Sequence, residues 1–242
     1  MSNKHIHQYT LADGSTMYYE CYGTGEPLFL LHGNSGSTLY FKKQIHDLKK
    51  YYKVYAIDSR GRGNSNDLAE NIDFSLMAED LLELIKHENL TKINLLGFSD
   101  GANLALIFAQ NYPQYIKTLI LNAANGSFND LTEASKKRFQ LINKFLHWWE
   151  KYYQKAKRYH RYFKLAFANL HLNYQKLAKL KFPVLILVGQ YDIVKQEFSE
   201  KLANTFPNAK LVIEPHVGHT FALEHPQAYN QYILNFLAQN NH

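Results

Sequence analysis

The chain has 242 residues, of which 46% are hydrophobic and 20% charged, and its formal net charge is +6. This length and composition are typical of one globular domain with a substantial core, and they exclude a disordered or low-complexity chain. The single cysteine, Cys21, excludes an internal disulfide and a cysteine-rich zinc site. The N-terminal residues lack the apolar run of a signal peptide, and no run approaches the roughly 20 apolar residues of a membrane span, so we expect a soluble cytoplasmic protein.

Short apolar segments alternate with longer amphipathic segments along the chain. The first two predicted strands, at 8–11 and 16–22, flank Asp13-Gly14, which favours a hairpin. Six apolar segments typical of strands buried on both faces follow, at 27–31, 54–57, 93–96, 118–121, 184–188 and 211–213. Helical spacing of apolar residues predicts helices at 76–86, 102–110 and 228–237. This order predicts an α/β fold with a mostly parallel sheet flanked by helices.

One long basic segment interrupts the alternation after the sixth predicted strand. From Asp130 to Lys181 it carries 13 Lys or Arg and 3 Asp or Glu, which leaves 14 of the 27 bases and 18 of the 21 acids to the rest of the chain. Its apolar residues fall near one helical stripe, formed by Ile142, Phe145, Leu146, Trp149, Tyr152, Tyr153, Ala156, Phe163 and Phe167. The pattern predicts one long helix or two shorter ones. We interpret residues 126–181 as a helical cap inserted into a core of residues 1–125 and 182–242.

The most specific motif is Gly97-Phe98-Ser99-Asp100-Gly101, which follows a predicted strand and precedes a predicted helix. A nucleophilic serine needs a tight turn of this kind, because glycines relieve crowding there and the helix N-terminus offers free N–H groups to a developing negative charge. The alternative is that Ser99 is an ordinary helix N-cap. The flanking glycines and the order of strand and helix favour Ser99 as a nucleophile.

A nucleophilic serine also needs a base and an acid that orients the base. Asp192 follows the seventh predicted strand and His219 follows the eighth, so both lie at the carboxyl ends of strands, where parallel sheets bind ligands. Asp130 is the alternative acid, and His216 and His225 are alternative bases. We favour Asp192 and His219 for these roles.

The backbone N–H groups of Asn34 and Asp100 are the candidates for an oxyanion hole, because Asn34 follows the third predicted strand and Asp100 follows Ser99. His32 is interpreted as a structural hydrogen-bonding residue rather than a second base. The acidic side chain of Asp100, next to the nucleophile, leads to the hypothesis that cationic substrates such as amino-acid esters are favoured.

Taken together, the motifs resemble those of the α/β-hydrolase superfamily, in particular its small capped esterases and meta-cleavage-product hydrolases. The matching segments span nearly the whole chain and are LHGN at 31–34, DSRGRGNS at 58–65, GFSDG at 97–101, GQYD at 189–192 and GHT at 218–220. The resemblance implies the order nucleophile, acid, histidine for Ser99, Asp192 and His219, and a cap after the sixth strand. It also implies that residues 58–63 form a structural turn with a salt-bridged arginine, whereas a phosphate-loop interpretation lacks the spacing of a nucleotide-binding fingerprint.

The predicted function is hydrolysis of small to medium carboxylic esters through an acyl-enzyme on Ser99, with no metal or organic cofactor. Because the same triad and fold serve other reactions, hydrolysis of carbon–carbon bonds of the meta-cleavage type and ligand binding without catalysis stay as alternatives. The basic segment is interpreted as a cap whose apolar stripe covers the pocket and whose Lys and Arg face water, rather than a membrane-surface helix or a nucleic-acid surface. We therefore expect a small-molecule ester as the partner, with no nucleic acid and no stable membrane insertion.

Overall fold

The computed structural model describes residues 4–240, in which eight strands form one sheet in the order β1-β2-β4-β3-β5-β6-β7-β8. The strands are β1 (His5–Thr10), β2 (Thr16–Tyr22), β3 (Glu26–Leu31), β4 (Tyr52–Ile57), β5 (Ile93–Phe98), β6 (Ile116–Asn122), β7 (Val184–Gly189) and β8 (Ala209–Glu214). Strand β1 pairs antiparallel with β2, and β2 pairs antiparallel with β4. All other pairs are parallel. The predicted fold class is confirmed, with the first strand starting three residues earlier than the pattern indicated.

The helices alternate with the strands of the parallel part of the sheet. They are α1 (Lys42–Leu48), α2 (Phe74–His87), α3 (Asp100–Asn111), α4 (Glu133–Trp149), α5 (Gln154–Phe163), α6 (Tyr174–Leu177), α7 (Gln196–Thr205), α8 (Phe221–Glu224) and α9 (Pro226–Gln239). Every residue of β5 and of β7 is buried, so both faces of the sheet are covered at its centre. The candidate residues Ser99, Asp192 and His219 follow the carboxyl ends of β5, β7 and β8, at one edge of this sheet. No helix within residues 4–240 is long and apolar enough to cross a membrane.

The basic segment between β6 and β7 contains two main helices, α4 and α5, rather than one. Leu146 and Ala156 of the predicted apolar stripe are buried, but Phe145, Tyr152 and Tyr153 are more than half exposed. The expectation that these three side chains face the pocket was therefore wrong. Helix α4 ends at Trp149 and α5 begins at Gln154, so the helical phase that the stripe assumed is interrupted between the two helices.

The loop after β4 holds a buried ionic network around Arg60. The Arg60 guanidinium pairs with Asp80 of α2 and with Asp13 in the β1–β2 turn at 2.6 Å, and its Nη1 lies 3.4 Å from Asp67. Burial opposes the charge, but the hydrogen bonds that the guanidinium donates to Asp80 and Asp13 outweigh it and raise the pKa of Arg60. The carboxylate of Asp58 accepts hydrogen bonds from the N–H groups of Thr38 and Asn64. The predicted structural turn with a salt-bridged arginine is confirmed.

Candidate active site

Ser99 occupies a strained turn between β5 and α3. Its φ of +53° and ψ of −119° lie outside the ordinary regions for a residue with a side chain, and its N–H is fixed by the Asn122 carbonyl at 2.8 Å. A Cβ at Gly97 would lie 2.2 Å from the carbonyl oxygen of Gly101, and a Cβ at Gly101 would lie 2.1 Å from that of Leu31. Both positions of the motif therefore require glycine, because the helix and two strands approach too closely for a side chain.

A hydrogen-bonded relay joins Ser99, His219 and Asp192. The Nε2 of His219 lies 3.1 Å from the Ser99 Oγ, and its Nδ1 lies 2.8 Å from the Asp192 Oδ1. The Asp192 side chain is 1% exposed, and its Oδ1 also accepts the Val194 N–H at 3.1 Å. The imidazole packs against the ring of Phe98 with the centroids 4.9 Å apart. These contacts orient the imidazole so that one nitrogen faces the hydroxyl and the other faces the carboxylate.

The loops that carry the acid and the histidine are tied to each other. The Tyr191 N–H donates to the Val217 carbonyl at 2.8 Å, which joins the loop after β7 to the loop after β8. The carboxylate of Glu224 accepts hydrogen bonds from the N–H groups of Gly218 and Thr220. The bond from Gly218 is the largest cause of the lowered pKa of Glu224. These bonds fix the backbone on both sides of His219.

The residues considered as the alternative acid and bases contact other partners than Ser99. Asp130 accepts a hydrogen bond from Ser127 at 2.9 Å. The His216 N–H donates to the Gln190 side chain, and His225 is half exposed and lies 4.0 Å from a carboxylate oxygen of Glu214. Of the predicted residues, the structure brings Asp192 and His219 to Ser99 and leaves Asp130, His216 and His225 in these other interactions.

The Asn34 side chain connects the two predicted donors of the oxyanion hole. Its amide donates to the Asp100 carboxylate at 2.7 Å and to the Tyr162 carbonyl of α5 at 3.1 Å. The Asp100 N–H stands at the first position of α3 and so has no intrahelical acceptor. The sequence indicated the backbone of Asn34 but gave no signal for these side-chain bonds, because their acceptors lie 66 and 128 positions away.

Two further ionisable groups shape this region. His32 is buried, its Nε2 accepts the Ser59 N–H at 3.1 Å, and burial lowers the pKa of its imidazole to about 4. The hydrogen bond from the Ser59 N–H agrees with the interpretation of His32 as a structural hydrogen-bonding residue. Burial also raises the pKa of the Asp100 carboxyl, and the charge of Arg62 and the hydrogen bond from Asn34 offset only part of that effect.

A small cavity of about 40 Å³ lies at Ser99 and His219. Its other walls come from the loops after β3, β6 and β7, from α3 and from the basic segment. They include Asn34, Asp100, Asn125, Leu131, Phe139, Phe163, Ala166, Ile193 and Val194. Leu131 and Val194 also form a β-bridge, so the start of the basic segment is attached to the loop that carries Asp192. Phe139 was missed in the sequence, although its spacing from Leu146 along α4 is compatible with a shared face.

Comparison with known proteins identifies the family. A family model described as alpha/beta hydrolase fold matches residues 26–182. The chain belongs to the α/β-hydrolase fold family. A second model, described as TAP-like protein, matches residues 169–242.

Individual members of this hydrolase family are similar over almost the whole chain. The serine hydrolase BPHL of Mus musculus is 28% identical over an alignment that covers 93% of this chain and 84% of that protein. A thermophilic esterase from Thermogutta terrifontis has a TM-score of 0.77 at 25% identity, and the match covers 98% of this chain and 99% of the esterase. The meta-cleavage product hydrolase CumD from Pseudomonas fluorescens shares the fold, with a TM-score of 0.77 at 22% identity over 97% and 98% of the two chains.

One group of side chains in this member of the fold family has the composition of a metal-binding cluster. His147, Glu150 and His160 place their ligand atoms within 4.8 Å of one another at the corner between α4 and α5. The Glu150 carboxylate already lies 2.9 Å from the Nδ1 of His147 and 2.5 Å from that of His160, and the latter hydrogen bond is the main cause of its lowered pKa. The group lines none of the cavity at Ser99, so we assign it to the packing of α5 against α4.

Proposed function

We propose that this α/β hydrolase is a serine esterase that hydrolyses small to medium carboxylic esters through an acyl-enzyme on Ser99. The proposal depends on one observation, the relay of hydrogen bonds from Ser99 through His219 to Asp192. A serine hydroxyl is a weak nucleophile near neutral pH, and an imidazole within hydrogen-bond distance is the group that activates it. The similarity to the mouse serine hydrolase and to the Thermogutta esterase agrees with this reaction class.

The proposed reaction has two steps, each using the same imidazole. His219 takes the Ser99 proton as the oxygen attacks the ester carbonyl, and it then donates that proton to the departing alkoxide. In the second step His219 takes a proton from water, the hydroxide attacks the acyl-enzyme, and the proton returns to Ser99 as the acid leaves. Asp192 stabilises the imidazolium in both steps. The N–H groups of Asn34 and Asp100 stabilise the oxyanion, and each such donor contributes about 3 kcal/mol in the transition state.

We further propose that residues 126–181 act as a cap over the nucleophile. Phe139 of α4 and Phe163 of α5 form part of the wall of the cavity at Ser99. With a volume of about 40 Å³, the cavity suits a short acyl group such as acetyl. Longer acyl chains then require α4 and α5 to move away from the sheet.

Reaction with a fluorophosphonate, followed by mass mapping of the adduct, tests the reaction class. We expect a single adduct on Ser99 and turnover of p-nitrophenyl acetate and butyrate. The substrate panel should include a meta-cleavage dienoate, because the carbon–carbon hydrolases share this fold. Turnover of the dienoate without ester hydrolysis, or a folded protein that is not labelled, would contradict the proposal.

Asp192→Asn is expected to lower kcat for p-nitrophenyl acetate by about 10⁴-fold. The amide can donate to the His219 Nδ1, which favours the tautomer whose Nε2 carries a proton and cannot accept one from Ser99. Steady-state kinetics measures the effect, and Asp130→Asn is the matched control because Asp130 is hydrogen-bonded to Ser127 instead. If Asp130→Asn lost activity and Asp192→Asn kept it, the assignment of the acid would be reversed.

The hypothesis that Asp100 favours cationic substrates stays a prediction. Its carboxylate lies in the cavity wall, where its negative charge would attract an ammonium group on the acyl side of an ester. We expect Asp100→Asn to reduce the ratio of kcat/KM for an alanine ester over the matching propionate ester by about tenfold. An unchanged ratio between these two esters would show that the Asp100 charge does not select the substrate.

A further inference from the structure

A second and much larger cleft lies beside the cavity at Ser99. It has a volume of about 440 Å³, within the range of roughly 300–1,000 Å³ found for small-molecule sites. The loops after β3 and β4 form one wall and α5 forms the other. Asn34 links the two spaces: it lines the cavity, its amide donates to the Tyr162 carbonyl, and Ser35 and Tyr162 line the cleft.

Arg62 is the buried charge of this cleft. It is 6% exposed, and its guanidinium lies over the ring of Tyr162, 4.2 Å from the centroid. Within residues 4–240, its one hydrogen bond runs from Nη1 to the Arg60 carbonyl at 3.2 Å, and no carboxylate lies within ion-pair distance. Arg60, two residues earlier, pairs with three carboxylates. Arg62 is therefore a desolvated cation whose remaining donors have no protein partner among the described residues.

Two more cations stand at the same cleft. Arg158 donates through Nε and Nη2 to the Gly61 carbonyl at 3.3 and 2.7 Å, which brings its guanidinium to the loop that carries Arg62. Lys155, one turn earlier on α5, is exposed and lines the cleft. No Asp or Glu is among the described residues that line it. Three like charges around one cleft repel one another. The carboxylates of Asp100 and Asp67 offset part of this at Arg62 without contacting it, and an anion between the three cations would offset more.

We propose that this cleft binds the anionic group, a carboxylate or a phosphate, of the ester that Ser99 hydrolyses, with Arg62 and Arg158 as its partners. The assignment rests on the proposed esterase function, since it names the class of substrate. The cavity at Ser99 holds only a small acyl group, so the rest of a substrate has to lie outside it. The cleft adjoins the cavity at Asn34, whose amide is hydrogen-bonded to the carbonyl of Tyr162 in the cleft wall, and planar guanidinium groups match the oxygens of carboxylates and phosphates.

Three acetate esters with the same aromatic frame test the charge selection: 4-acetoxybenzoate, 4-acetoxyphenyl phosphate and the uncharged 4-acetoxybenzamide. We expect a lower KM for at least one anionic ester than for the amide in the wild-type enzyme. A charge-assisted hydrogen bond contributes enough to change affinity by about 10-fold to 100-fold, so Arg62→Gln and Arg158→Gln should each reduce this KM ratio by about tenfold or more. The anion with the larger ratio identifies carboxylate or phosphate as the group that is recognised.

Arg138→Gln is the matched control, because Arg138 is an exposed arginine of α4 that does not line the cleft. Its KM ratio should equal that of the wild type. If Arg62→Gln fails to fold, the exposed Arg158 still gives an independent answer. An unchanged ratio in Arg158→Gln, with the esters hydrolysed normally, would overturn the anion site and leave the esterase function intact.

Calorimetry with Ser99→Ala separates the two proposals, because it needs no turnover. Benzoate or inorganic phosphate should bind to Ser99→Ala, and the additional change Arg158→Gln should weaken that binding by about tenfold. Binding of an anion by a protein that hydrolyses none of the three esters would support the cleft and contradict the esterase function. No heat from either anion would overturn the cleft as an anion site.

Discussion

Ser99→Ala is expected to lower kcat for p-nitrophenyl acetate by about 10⁴-fold or more. Without the hydroxyl no acyl-enzyme can form, and the oxyanion hole and substrate binding leave only a residual acceleration over the reaction in water. The fold should be preserved, because alanine meets the same backbone restriction as serine at a φ of +53°. We therefore expect the free energy of unfolding to stay within about 1 kcal/mol of the wild type.

Steady-state kinetics, combined with fluorophosphonate labelling, measures both parts of this prediction. Ser75→Ala is the matched control, since Ser75 is an exposed serine of α2. It should keep wild-type turnover and wild-type labelling. Retention of both by Ser99→Ala would place the nucleophile at another residue. If Ser99→Ala does not fold, the measurement is repeated with Ser99→Gly, because glycine adopts a φ of +53° without strain, and this variant should fold and lose both turnover and labelling.

The parts of the site that could be predicted are those fixed by the local backbone. Gly97 and Gly101 appear in the motif because the carbonyls of Gly101 and Leu31 lie where a Cβ would be. Asp192 and His219 could be placed because each follows a buried strand directly. The parallel pairing of β6 with β7 and of β7 with β8 brings those strand ends to one edge of the sheet.

The parts that could not be predicted depend on contacts between distant segments. The helical stripe of the basic segment was extended through residues 150–153, where the helix in fact stops, so aromatic residues were assigned to the pocket that are exposed. The side-chain bond between Asn34 and Asp100 joins the loop after β3 to the start of α3, 66 positions away. Arg62 is buried without a paired carboxylate, and it is covered by the ring of Tyr162 from the distant helix α5. The spacing of residues within one segment cannot predict contacts of this kind with another segment.

Removal of the buried Arg60 charge is expected to have the largest effect on stability. Its side chain is 1% exposed, and those of its partners Asp80 and Asp67 are 4% and 1% exposed. Arg60→Gln leaves these carboxylates buried without their cation, and breaking a buried pair in this way costs about 3–5 kcal/mol. For a chain of this length, we expect the melting temperature to fall by roughly 6–20 °C.

Urea unfolding of Arg60→Gln and of the exposed control Arg138→Gln measures this loss. The control should unfold within about 0.5 kcal/mol of the wild type, because surface substitutions rarely have larger effects. The variant Arg60→Met with Asp80→Leu removes two of the charges together, and it should be more stable than Arg60→Gln because apolar side chains then replace an uncompensated carboxylate. A loss below about 1 kcal/mol in Arg60→Gln would mean that Asp13, Asp67 and Asp80 reach water or other partners without the arginine. The network would then not hold the β1–β2 turn, the loop after β4 and α2 together.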